Sequence, residues 1–150
     1  MKSFLKYWLP VSIWLGLIVI GSTDLMSAEH TSRIIGPVLR SFNPDISAET
    51  IAQIQFVVRK TAHVMEYAIL AALLWRALRA GVRWQTRMLR LFIAIWFVCA
   101  VFAASDEFHQ SFVPSRTASP IDVMIDIFGA LIGLVICVFV ASRNVIDRES

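Results

Sequence analysis

Charge is what this chain has least of. Only 17% of its 150 residues are Asp, Glu, Lys or Arg, and 57% are hydrophobic, whereas a soluble domain carries about 25% charged residues. The deficit excludes an ordinary water-facing surface and points to a membrane protein of one domain, residues 1–150. Cysteine is nearly absent. Cys99 and Cys137 both lie inside apolar runs, at different depths, which argues against a disulfide framework or a thiolate metal site and leaves packing as their use. The H-E-x-x-H spacing is missing, and with it a zincin-type zinc site. No Ser or Cys stands in a recognisable nucleophile setting; Ser105, Ser111 and Ser119 are simply near polar residues. The net charge of +3 includes a block of arginines with no acid among them, Arg76, Arg79, Arg83, Arg87 and Arg90. Between two apolar runs such a block is the usual cytoplasmic orientation signal, not a nucleic-acid site.

What the chain does have is apolar runs. The first, from about Leu5 to Gly21, comes after Lys2 and Lys6. No good A-x-A site succeeds it, and Trp8 and Trp14 suit an anchored helix, so an uncleaved transmembrane helix is expected, bent or interrupted at Pro10. In the connection over residues 22–58, Ile34, Ile35, Val38, Leu39 and Phe42 recur at helical spacing, and Pro37 limits any helix there. This part is expected to lie on the membrane surface. Asn43-Pro44-Asp45 then makes a turn, and Ser47 can cap the next helix. That second helix should begin near Ala48 and reach about Leu78, with residues 60–78 in the membrane. Its ~45 Å exceeds the ~30 Å hydrocarbon core, so its first turns stand in the interface. A third helix is expected over about 89–105, ending where Ser105-Asp106-Glu107 begins, and a fourth over about 121–141, succeeded by a mixed-charge tail. Gly129 and Gly133 suit close packing within the bundle.

The fold class expected is therefore an all-α membrane protein with four transmembrane helices. The arginine block orients it: N- and C-termini are cytoplasmic, and the connections 22–58 and 106–120 lie on the outer face. That orientation brings two polar clusters to one depth, Arg59 to Tyr67 and Asp106 to Gly133. Arg59, His63 and Glu66 are spaced i, i+4, i+7 on one helix face, with Tyr67 beside them. Asp106 and Gln110 repeat at i, i+4, as do Asp122 and Asp126. A charged side chain at membrane depth costs ~3 kcal/mol or more, so such groups pair, line a wet cavity or do chemistry.

Four uses fit these residues. In an internal polar network, Glu66, Asp106, Glu107, Asp122 and Asp126 are neutralised by Arg59, Lys60, Arg116 and the histidines, and the bundle is oriented without chemistry. In an enzyme acting on lipid head groups, Arg59, Lys60 and Arg116 hold a phosphate. His63 then carries the proton, and Asp106, Glu107 or Asp126 orients it or acts as base. A hard-metal site would use the carboxylates with His63 or His109, and Mg²⁺ would suit them, although no tightly bound cofactor is expected. A binding module would hold a lipid-linked ligand or a partner protein. An ion path fits poorly, because the cytoplasmic halves of the helices have no matching polar residues.

At the two clusters the chain resembles the VanZ-like family of small bacterial membrane proteins. The resemblance rests on RKTAHVMEYAIL at 59–70 and DEFHQSFVPSRTASPIDVMIDIFGALIG at 106–133. Arg59, Lys60, His63, Glu66, Tyr67, Asp106, Glu107, Gln110, Arg116, Asp122 and Asp126 fall on the family's motif positions, and His109 matches many members. The resemblance implies a multi-pass protein of the bacterial cytoplasmic membrane. It also implies a link to low-level resistance to the glycopeptide teicoplanin, whose target is exposed outside that membrane. The partner expected on this reading is a membrane lipid or lipid-linked cell-wall precursor.

Overall fold

A computed structural model describes residues 2–23, 28–79, 84–113 and 118–149, with side chains over 4–23, 33–79, 88–113 and 118–143. These residues form helices α1 (Lys2–Gly21), α2 (Ala28–Phe42), α3 (Ala48–Arg79), α4 (Trp84–Gln110) and α5 (Pro120–Glu149). Local chemistry sets the boundaries. The Ile46 amide donates to the Asn43 carbonyl at 3.2 Å and the Asp45 amide to Asn43 Oδ1 at 3.2 Å, closing the expected turn. Ser47 caps α3 as expected, its Oγ accepting from the Thr50 amide at 3.1 Å. Ser119 does the same for α5, where Pro120 occupies the first helical position and the Ile121 amide donates to Ser119 Oγ at 3.3 Å. Pro10 and Pro37 lie inside α1 and α2 without ending them.

Two expected ends move outward. α4 continues through Asp106 and Glu107 to Gln110 instead of stopping at the first acid. Gln110 Nε2 donates to Asp106 Oδ2 at 3.0 Å, a one-turn pair that favours helix where hydropathy alone reads a break. α5 likewise runs on through the mixed-charge tail to Glu149.

The number of membrane helices also changes. Among the described residues three helices, not four, are long and apolar enough to cross a membrane: α1 over Phe4–Gly21, α4 over Met88–Gln110 and α5 over Pro120–Arg143. α3 has the length, 32 residues, but His63 and Glu66 interrupt its apolar half and Arg59, Lys60 and Arg76 flank it. It is nonetheless the hub, packed against α1, α2, α4 and above all α5. A helix surrounded by others need not be apolar, which is why its composition understates its burial.

Contacts fix the directions. Lys60 meets Asp122 and His63 meets Asp126, so α3 and α5 run parallel. Trp14 Nε1 donates to the Glu66 carbonyl at 2.9 Å and Arg76 Nη2 to the Lys6 carbonyl at 3.1 Å, so α1 runs against α3. α4 returns between its neighbours, its Trp96 Nε1 donating to the Ile127 carbonyl at 3.2 Å. The bundle is inside out relative to a soluble protein. Phe97 is 66% exposed and Met124 69%, while Asp126 is 1% exposed. Apolar side chains cover the outside and the polar ones point in, the arrangement lipid requires.

The parallel α3–α5 pair is held at backbone distance. A Cβ built on Gly129 would lie against the Val64 carbonyl and 2.9 Å from its Cα; one on Gly133 would meet Ala68 in the same way. Neither neighbour is a flexible side chain that can move aside. Gly133→Ala is therefore expected to destabilise the bundle by about 1–3 kcal/mol. Gly16→Ala, with nothing within 4 Å of the new Cβ, should leave the transition within about 0.5 kcal/mol of wild type. Denaturant titration in detergent, monitored by circular dichroism, measures both.

Candidate functional site

The glycine contacts place Val64 and Ala68 against α5, and so bring the preceding residues His63 and Tyr67 onto the seam. Asp126 lies one turn before Gly129. His63 Nδ1 and Asp126 Oδ1 are 3.0 Å apart, and both residues are buried. When Nδ1 carries the proton it donates to the carboxylate, and Nε2 is left as the nitrogen that can accept or give one. One turn toward the start of both helices, Lys60 Nζ pairs with Asp122 Oδ1. The same ammonium sits 5.2 Å from the centroid of the Phe56 ring.

A second group ties α1 to α4. The Ser22 hydroxyl donates to Asp106 Oδ1, with the Ile18 carbonyl as an alternative acceptor at 3.0 Å. Gln110 Nε2 reaches Ser22 Oγ at 3.4 Å as well as Asp106 Oδ2. On the other side, Glu107 Oε1 accepts from the Ser119 amide and so joins the end of α4 to the cap of α5. These connections hold Asp106, Glu107 and Gln110 at the depth of His63 and Asp126.

Part of the cluster is unsatisfied. Among the described residues the Tyr67 hydroxyl and Glu107 Oε2 are buried without a hydrogen-bond partner. Tyr67 is fully buried. It lies within electrostatic reach of Asp106, Asp126 and Glu66, and Glu107 within reach of Asp122, His63 and Asp106. An unpartnered buried polar atom costs ~1–3 kcal/mol. The half-buried Arg59 has no hydrogen bond or ion pair among the described residues. Glu66 is engaged, and its carboxylate stands near Gly21. No three His, Cys, Asp or Glu side chains among the described residues converge as a metal-binding set.

The structure thus gathers His63, Tyr67, Asp106, Glu107, Gln110 and Asp126 at one end of the bundle, with Lys60 and Asp122 alongside. His109 is exposed, and Arg116 lies outside the described residues. Sequence reasoning missed Ser22 and Trp14 as parts of the site. For Ser22 the available signal was its place at the end of the first apolar run, the depth at which the acids of α4 begin.

Helices with lipid-facing apolar surfaces around a buried polar cluster define a multi-pass membrane protein. The chain belongs to the VanZ/LLP1 family, whose sequence model matches residues 7–141. No curated protein and no solved structure matches it.

Ser22→Ala removes the buried hydroxyl that links Asp106 to α1 and leaves an oxygen of the half-buried Asp106 carboxylate without this donor. A loss of about 1–3 kcal/mol in detergent unfolding is expected, against near-neutral behaviour of Ser142→Ala, whose hydroxyl bonds only within its own helix at an exposed position.

Proposed function

We propose that this VanZ-family membrane protein takes up a phosphate-bearing lipid or lipid-linked cell-wall precursor in its polar site, at the outer face of the bacterial cytoplasmic membrane. One observation carries the proposal: the buried cluster does not satisfy itself. A purely structural network would close its own hydrogen bonds, as Lys60–Asp122 and Ser22–Asp106–Gln110 do. The Tyr67 hydroxyl and Glu107 Oε2 stay open beside them.

The open groups describe their ligand. Arg59 and the Tyr67 hydroxyl offer donors to phosphate oxygens, with Arg116 as a further cation. Glu107 Oε2 asks for a donor, such as a sugar hydroxyl, a glycerol hydroxyl or an amide. Arg59 and Tyr67 are eight positions apart on α3, or ~12 Å, so a group touching both is elongated. The His63–Asp126 pair beside them is arranged to move a proton, and in an enzyme it would do so on this head group. The reading needs no resident metal, and a Mg²⁺ ion arriving with the phosphate would find carboxylates nearby. Such a site also gives a physical route to teicoplanin, whose target lies on the same side of the membrane.

α3 is the fourth crossing on this reading, with both termini and the arginine block cytoplasmic and α2 lying on the outer surface. Its exposed Ile34, Val38 and Phe42 face lipid head groups rather than protein. A reporter fused after Arg79 should be cytoplasmic and one after Ser115 external; the reverse would remove the outer-face site.

Native mass spectrometry of the gently extracted chain tests the ligand. Wild type should retain a phosphate-bearing lipid or precursor that Tyr67→Phe and Arg116→Ala lose while staying folded. Retention by both variants, or no adduct in wild type, would return the cluster to a structural role. His63→Ala divides enzyme from binder: an adduct that builds up marks a removed proton transfer, and one that disappears marks a lost ligand contact.

A further inference from the structure

The opposite end of the bundle holds a cavity of about 440 Å³ between α1, α3 and α5. Its lining includes Tyr7 of α1, Trp75, Arg76 and Arg79 of α3, and Cys137 and Val140 of α5. Trp75 is buried at its wall, and Val140, half exposed, leaves it open to the side of the bundle. Arg76 is held in place from α1. Its Nη2 donates to the Lys6 carbonyl at 3.1 Å, and its guanidinium carbon stands 5.8 Å from the centroid of the Tyr7 ring. One bond to Lys6 leaves most of the guanidinium's donors uncommitted to that carbonyl.

The charge around the cavity has one sign over a long stretch. The sequence has no acid between Glu66 and Asp106, and on α5 none between Asp126 and Asp147. Lys6, Arg76, Arg79, Arg90 and Arg143 all fall at this end of the bundle. Two arginines therefore stand over an apolar trough, an arrangement complementary to a molecule with an anionic head and a hydrocarbon chain. The volume lies in the range of small-molecule sites, ~300–1,000 Å³. Basic pockets between membrane helices hold phosphate-bearing lipid head groups.

We infer that this cavity binds one anionic phospholipid, its phosphate on Arg76 and Arg79 and an acyl chain along Trp75, Cys137 and Val140. The site is separate from the polar cluster and does not share a residue with it. A lipid wedged here bridges α1, α3 and α5 at the end away from the Lys60–Asp122 and His63–Asp126 pairs.

The test uses the full chain, delipidated in detergent and incubated with phosphatidylglycerol, phosphatidylcholine or inorganic phosphate, then read by native mass spectrometry. One phosphatidylglycerol per chain should be retained, and neither phosphatidylcholine nor free phosphate. Arg76→Gln combined with Arg79→Gln should lower that retention by about tenfold or more, the scale of lost charge-assisted hydrogen bonds. Val140→Trp, which fills the trough from an exposed position with both arginines intact, should lower it as well, and decides the matter if the double variant fails to fold. Arg90→Gln, exposed and outside the cavity, should not change it. Equal retention of phosphatidylcholine, or competition by free phosphate as strong as by the lipid, would overturn the inference. So would undiminished binding in Val140→Trp, or an equal loss in Arg90→Gln. A precursor adduct lost in Tyr67→Phe but kept in the arginine double variant reports on the other site alone.

Discussion

The closeness of α3 and α5 is the constraint on which the rest depends. Two glycines, Gly129 and Gly133, let the α5 backbone rest on the carbonyls of Val64 and Ala68. In lipid no hydrophobic force draws helices together, so close packing of this kind has to supply much of the attraction. It also sets the register. With the helices parallel and seated one glycine per turn, His63 has Asp126 opposite and Lys60 has Asp122. A wider seam would leave these side chains short of one another, and a slip of one turn would pair them differently.

Around that seam the polar groups divide by function. Lys60, Asp122, Ser22, Asp106 and Gln110 bond to each other and join helices, which gives them a structural explanation. Tyr67 and Glu107 retain buried atoms that these bonds do not reach. The VanZ/LLP1 match runs over residues 7–141 rather than the polar motifs alone, so the scaffold and the cluster belong to one unit.

Much of this is legible in the sequence because it is local. The Asn43 turn, the Ser47 cap and the i, i+4, i+7 face of Arg59, His63 and Glu66 depend on neighbours a few residues away. Gly129 and Gly133 are legible as a close-packing pair for the same reason. The rest depends on contacts distant in sequence. Ser22 reaches Asp106 across 84 positions, and its place at the end of the first apolar run gives its depth but not its partner. The end of α4 is misread because an acid after an apolar run looks like the end of hydrocarbon, while the helix itself is indifferent to that boundary. Length and periodicity make α3 look like an ordinary membrane helix, although its polar face makes it a marginal one.

That marginal helix has a consequence for biogenesis. α1, α4 and α5 can each partition into lipid on their own hydropathy. On the proposed topology α3 emerges from the ribosome before α4 and α5, carrying Lys60, His63 and Glu66 with no α5 yet made to receive them. Its commitment to the membrane then waits for the chain behind it, and synthesis order and burial order differ. The helix made third becomes the centre only when the last one arrives, so the site is assembled at the final step of insertion rather than inherited from the first.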